Sequence, residues 1–148
     1  MDWLYKKNIP KFKNNTYSKK FTKELFLIRH GESKWNKAKE SGNVTGMAGF
    51  DHGLDETGVE QCLAFSPQFS AEPIEGSSDS EKKFRTVPII LSSPLTRAVQ
   101  TAVLALNGHG TFVRDGVTLC RNLREVKRTL VSLDTVGVQI GGENILAH

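Results

Sequence analysis

The chain is poor in cysteine, with only Cys62 and Cys120 among 148 residues. They lie far apart and follow neither a metal-ligand spacing nor a C-x-x-C redox spacing. A disulfide framework is therefore not expected, and both read as free thiols in a reducing, cytoplasmic setting. Long apolar runs are also missing. None approaches the roughly 20 residues of a membrane-crossing helix, and no apolar signal core follows Met1. A membrane span is not expected. The apolar fraction of 38% is modest for a compact domain but is not a disordered composition. At this length one domain with a real core is expected.

The net charge of +4 belongs mostly to one end. Residues 1–24 carry seven lysines (Lys6, Lys7, Lys11, Lys13, Lys19, Lys20 and Lys23) against Asp2 and Glu24. The remainder holds 13 basic and 14 acidic side chains. The expectation is a basic N-terminal arm over 1–24, read as a solvated tail, followed by a domain over 25–148. The arm has no arginine and no clear amphipathic period, so nucleic acid is not an expected partner.

Leu25-Phe26-Leu27-Ile28 reads as a buried strand. It stops on Arg29, His30 and Gly31, where open α/β sheets place their ligands. Helix start signals follow at Ser33, and Ser41-Gly42-Asn43 stops that helix. Val44–Gly53 reads as a loop. Asp55 or Thr57 can cap a helix with Val59, Cys62, Leu63 and Phe65 on one face. Residues 66–86 read as a surface loop or ragged helix end. Val87–Leu91 reads as a second buried strand, with Pro88 tolerated near its start. Ser93 and Pro94 then open a helix whose apolar face is Leu95, Ala98, Val99 and Ala102. Thr111–Val113 reads as a short third strand. His52 and His109 read as loop histidines. Strand–helix–strand alternation predicts an α/β fold of three layers, a mostly parallel sheet with helices on both faces.

Residues 29–36, Arg-His-Gly-Glu-Ser-Lys-Trp-Asn, resemble the signature of the histidine phosphatase superfamily, also called phosphoglycerate mutase-like. Asp51, Leu54, Gly58 and Gln61 resemble its second landmark, and Ser92-Ser93-Pro94 with Arg97 and Thr101 its third. Leu123-Arg124-Glu125 fits a Leu-x-Glu found further along. The second landmark is read as structural, with no catalytic role for Asp51 or Gln61.

The chemistry of these residue types agrees with the resemblance. Phosphoryl transfer needs an in-line nucleophile, cationic donors for the equatorial oxygens and a proton for the leaving group. His30 is the candidate nucleophile, and the resemblance implies that it forms a phosphohistidine. Arg29 and Arg97 suit bidentate capture of phosphate oxygens, and Asn36 can add an amide donor. Glu125 is the candidate general acid. Neither a metal nor another cofactor is expected. The expected partner is a phosphorylated small molecule or phosphate itself, and oligomeric state is left open.

The resemblance also implies a second histidine, followed by glycine, on a later strand. His148 follows an apolar run, but the spacing from Glu125 is too short and no glycine follows. The chain therefore reads as the first two-thirds of such a domain, truncated or degenerate. Three functions follow from this reading. The first is a phosphatase of small phosphate esters. The second is a phosphoglycerate mutase-type transferase, for which Thr45-Gly46 offers a weak substrate-contact match. The third is a non-catalytic phosphate-binding or regulatory protein.

Overall fold

The computed structural model describes residues 4–9, 23–70 and 76–124. In chain order the elements begin with strands β1 (Leu4–Ile9) and β2 (Lys23–Ile28), then helices α1 (Lys34–Glu40), α2 (Val44–Met47), α3 (Glu56–Phe65), α4 (Pro67–Ser70) and α5 (Asp79–Arg85). Strand β3 (Leu91–Ser92), helices α6 (Thr96–Ala105) and α7 (Gly110–Asp115), strand β4 (Thr118–Leu119) and a 3-10 turn (Arg121–Leu123) complete them. The fold is α/β. β3 and β4 pair in parallel, with Leu91 opposite Thr118. β1 and β2 pair antiparallel, with Leu4 opposite Ile28 and Ile9 opposite Lys23.

β1 corrects the reading of the arm as a tail. Leu4–Ile9 is a strand, because β2 offers it a full edge of backbone donors and acceptors.

β2 is also less buried than its apolar run implies. Phe26 and Ile28 face an aromatic core of Phe69, Phe84 and Leu106, joined by Phe65, Ile90 and Phe112. Phe69 and Phe84 meet edge to face with centroids 4.5 Å apart, and Phe26 meets Phe84 likewise at 5.4 Å. Alternate residues of a strand point to opposite faces. Leu25 and Leu27 accordingly lie on the other face, 38% and 44% exposed.

Val87–Leu91 gives only a two-residue strand. Pro88 has no N–H to donate, and the parallel pairing starts where the Ile90 carbonyl accepts from Thr118 N. Ile89 and Leu91 are exposed there rather than buried.

Helix chemistry explains the other differences. Asn43 caps α2 by accepting from Gly46 N, so residues 44–47 are helical rather than loop. Ser78 and Glu81 form a capping box that starts α5 inside the segment read as loop. Thr111–Val113 is helical, not extended. His109 caps α7 through its ring, which accepts from Thr111 N at 3.2 Å. Gly116 ends α7 at φ +70°, a conformation that suits glycine.

His109 is among the most buried side chains, 1% exposed. Its Nε2 donates to the Phe84 carbonyl at 2.9 Å, so its two ring nitrogens join α7 to the end of α5. This histidine lies in the connection between α6 and α7, as expected of a loop residue, but it is buried there and acts as a core bracket. Asp55 caps α3 as expected, accepting from Gly58 N at 2.8 Å. Of the expected apolar face of α3, Cys62 is buried and Val59 and Phe65 pack beside it, but Leu63 is exposed.

α3 and α6 pack together through Leu54, Cys62 and Ala105, with Leu104 alongside. The approach of α3 to the turn after β2 is set by glycine. A Cβ on Gly58 would drive into the Glu32 carbonyl, and one on Gly31 would stand 2.8 Å from the Gly58 carbonyl. Gly58→Ala is expected to destabilise by roughly 1–3 kcal/mol or more, as overpacking against backbone does. Gly110→Ala, with open space around it, is expected to be neutral or to stabilise by about 0.4–1 kcal/mol. Chemical denaturation of the two variants against the parent chain measures both.

Candidate active site

The site is the turn that leaves β2. Ser33 ends the turn and caps α1, accepting from Asn36 N while its own N–H and hydroxyl donate to Asn36 Oδ1 at 3.3 and 2.7 Å. A short backbone zipper lines the turn against residues 53–55. Lys34 N donates to the Gly53 carbonyl, and Asp55 N donates to the Glu32 carbonyl, both at 3.1 Å. The turn is therefore held from below by the chain that leads into α3.

Each peptide flanking Gly31 is gripped by a side chain distant in sequence. Gly31 N donates to Thr101 Oγ1 on α6 at 3.0 Å. The Thr101 hydroxyl proton goes to the Arg97 carbonyl at 2.7 Å, which leaves its lone pairs facing Gly31. Glu32 N donates to Gln61 Oε1 on α3 at 2.9 Å. Gly31 is buried, so these amides would be costly to leave unpaired.

That arrangement fixes the imidazole. His30 Nδ1 lies 2.7 Å from the Gly31 carbonyl. A carbonyl oxygen only accepts, so Nδ1 carries the proton and Nε2 the in-plane lone pair. Arg97 Nε donates to that lone pair at 3.3 Å. Arg97 is 3% exposed, a cation held in the interior beside His30 Nε2.

Arg97 is held in place by the start of its helix. Sequence signals give the cap of α6 to Ser93 and Pro94, but the helix starts at Thr96 and Leu95 makes no side-chain cap. Asp51 supplies the missing acceptor from the other side of the turn. Its Oδ1 accepts from Thr96 N and its Oδ2 from the Thr96 hydroxyl, each at 2.8 Å. Asp51 holds φ +46° to do so, an uncommon conformation that aspartate tolerates better than most residues. Gln100 adds a second tie, accepting from Leu54 N at 2.8 Å.

Of the expected site residues, His30 and Arg97 are thus brought together. Arg29 stands exposed at the end of β2 and has no hydrogen-bond partner among the described residues. Asn36 sits one turn into α1 with its oxygen committed to Ser33. Glu125 and His148 lie outside the described residues. His52 bonds the Gly46 carbonyl through Nε2 at 2.8 Å and so closes its own loop. Thr101 had no role in the sequence reading beyond being part of a motif. The signal was its i+4 spacing from Arg97, which puts the two on one helical face.

A profile of the histidine phosphatase superfamily (branch 1) matches residues 25–129. The chain belongs to the histidine phosphatase superfamily. It is similar to 2,3-bisphosphoglycerate-dependent phosphoglycerate mutase 1 of Arabidopsis thaliana, 35% identical over 103 residues. That match covers 70% of this chain and 25% of the mutase, so the chain spans about a quarter of that relative's length. No solved structure matches it. Among the described residues no helix is long and apolar enough to cross a membrane.

In this superfamily member a buried thiol lies directly behind the turn. Burial pushes the Cys62 thiol up from its ordinary range, opposed more weakly by bonds to the Thr101 side chain and the Gly31 backbone. The folded chain therefore keeps this proton where the unfolded chain releases it. The unfolded state then binds fewer protons, so stability falls as pH rises through the ordinary thiol range. That fall is expected to shrink in Cys62→Ala, measured as unfolding midpoint against pH. Mass-resolved alkylation of the native chain is expected to modify the half-buried Cys120 well before the buried Cys62.

Proposed function

We propose that the chain carries a phosphoryl-transfer site in which His30 Nε2 attacks the phosphorus of a small phosphate ester. The reading rests chiefly on one observation, the His30 Nδ1 bond to the Gly31 carbonyl that leaves the Nε2 lone pair directed at Arg97. An Nε2–P bond forms and the ester P–O bond breaks. The leaving alkoxide takes a proton from Glu125. Water then attacks the phosphohistidine, its proton returns to Glu125, the P–N bond breaks and inorganic phosphate leaves. Arg97 and Arg29 balance charge on the equatorial oxygens, and the Asn36 amide donates a further bond.

In the resting site the Arg97 N–H occupies the lone pair that must attack. Phosphate oxygens are stronger acceptors for a guanidinium than an imidazole nitrogen. Substrate arrival therefore draws the arginine towards phosphate and exposes the nucleophile in the same movement.

Hydrolysis of small phosphate esters is the reading we prefer, in a cytoplasmic setting that suits two free thiols. The second reading is transfer between hydroxyls of a phosphoglycerate, which the name of the Arabidopsis relative favours. It differs only in the acceptor, a sugar-acid hydroxyl in place of water.

Incubation of the chain with a generic aryl phosphate is expected to give an acid-labile phosphoenzyme that His30→Ala lacks. Arg97→Ala is expected to slow its formation by roughly 10²–10³, the cost of removing one donor from a preorganised anion site. Labelled phosphoglycerate separates the two readings, since label released as phosphate means hydrolysis and label moved between hydroxyls means mutase chemistry. Phosphate binding without labelling in either assay would leave a non-catalytic phosphate-binding protein.

A further inference from the structure

We infer that Gln61 is a positioning residue that sets the tautomer and ring angle of His30. The inference deepens the phosphoryl-transfer reading of this site and rests on it for its functional meaning. Gln61 acts through one peptide unit. The Gly31–Glu32 peptide presents its carbonyl to His30 Nδ1 at 2.7 Å and its N–H to Gln61 Oε1 at 2.9 Å. The two groups belong to one rigid plane and point in opposite directions. An acceptor on the N–H side therefore holds the carbonyl towards the ring, and it also polarises that carbonyl as an acceptor.

Other ties leave this plane under-determined without Gln61. Thr101 fixes the preceding peptide, His30–Gly31, through Gly31 N. The Glu32 carbonyl, which accepts from Asp55 N, belongs to the following one. Glycine between them is the residue least able to resist rotation of the plane it begins. The half-buried Gln61 side chain projects from the middle of α3, a helix fixed by the Gly31–Gly58 contact and the Asp55 cap. The acceptor is thus carried on a rigid element, as a positioning group must be. If the Gly31 carbonyl swings away, Nδ1 loses the acceptor that holds its proton, and only the longer 3.3 Å Arg97 contact still disfavours a proton on Nε2. The proton is then shared with Nε2, and the attacking lone pair is lost for part of the time.

Two variants of the full chain test this. Gln61→Met keeps length and helix propensity but has no oxygen acceptor, and Gln61→Glu restores one. Gln61→Ala is a second deletion in case the methionine packs badly. Nitrogen-15 imidazole spectra read the tautomer directly, with the His30 signals assigned by their loss in His30→Ala. The parent chain and Gln61→Glu are expected to show Nδ1–H with an unprotonated Nε2. Gln61→Met and Gln61→Ala are expected to show averaging between tautomers. Phosphoenzyme formation in these two is expected to slow about tenfold, the size of one hydrogen bond's net contribution. Unchanged ring signals in Gln61→Met and Gln61→Ala would overturn the inference, whatever happened to their rates or melting points. A parent chain that takes no phosphate would contradict the phosphoryl-transfer reading alone, and the ring spectra would still decide the role of Gln61.

Discussion

The contact on which this site depends is between two glycines. Gly31 in the turn after β2 and Gly58 in the first turn of α3 approach so closely that neither can carry a side chain without striking backbone. That approach brings Gln61, one turn further along α3, within reach of Glu32 N. It also presses the turn against α6, where Thr101 meets Gly31 N. The turn after β2 has little regular structure of its own. It is shaped by side chains that satisfy its amides from two helices, and those helices are held together by the small buried cluster of Leu54, Cys62 and Ala105.

The same economy applies to charge. A guanidinium in the interior is expensive unless polar groups meet it, and anchoring its helix is what makes the position reproducible. Asp51 does this from outside α6, with both carboxylate oxygens on Thr96 and a backbone conformation that few residues tolerate. A hydrogen-bond path runs from His30 Nδ1 through the Gly31 residue and the Thr101 hydroxyl to the Arg97 backbone. His30 and Arg97 are therefore located by one connected set of bonds, not by two independent loops. Small displacements at α3 or α6 reach both partners together.

Much of this was legible in the residues themselves. The Arg29–Asn36 run named the family, the Ser33 start followed from side-chain chemistry, and Asp55 was one of the two cap candidates for α3. His30 and Arg97, chosen from separate segments, meet at 3.3 Å. Other features were not legible because they arise from tertiary partners. Ser93 is a good local capping residue, yet α6 is capped by Asp51, 45 positions away. His109 is a loop residue as read, but its burial was not visible because nothing local shows that the Phe84 carbonyl will need a donor. Leu25 and Leu27 belong to a uniformly apolar run, which cannot reveal that one face of β2 is covered and the other exposed. Gln61 was read as structural because the resemblance gives its segment that role, and no spacing rule records that its side-chain oxygen meets Glu32 N.

The position of the phosphoryl group on the imidazole ring is the most direct measurement. Trapping the phosphoenzyme under alkaline conditions and recording its phosphorus resonance, with fragment mass spectrometry to locate the residue, distinguishes the two ring isomers. The Gly31 carbonyl holds the proton on Nδ1, so phosphate is expected on Nε2 of His30 alone. Phosphate on Nδ1, or on any other residue, would contradict the assignment of the attacking nitrogen and the geometry built around it.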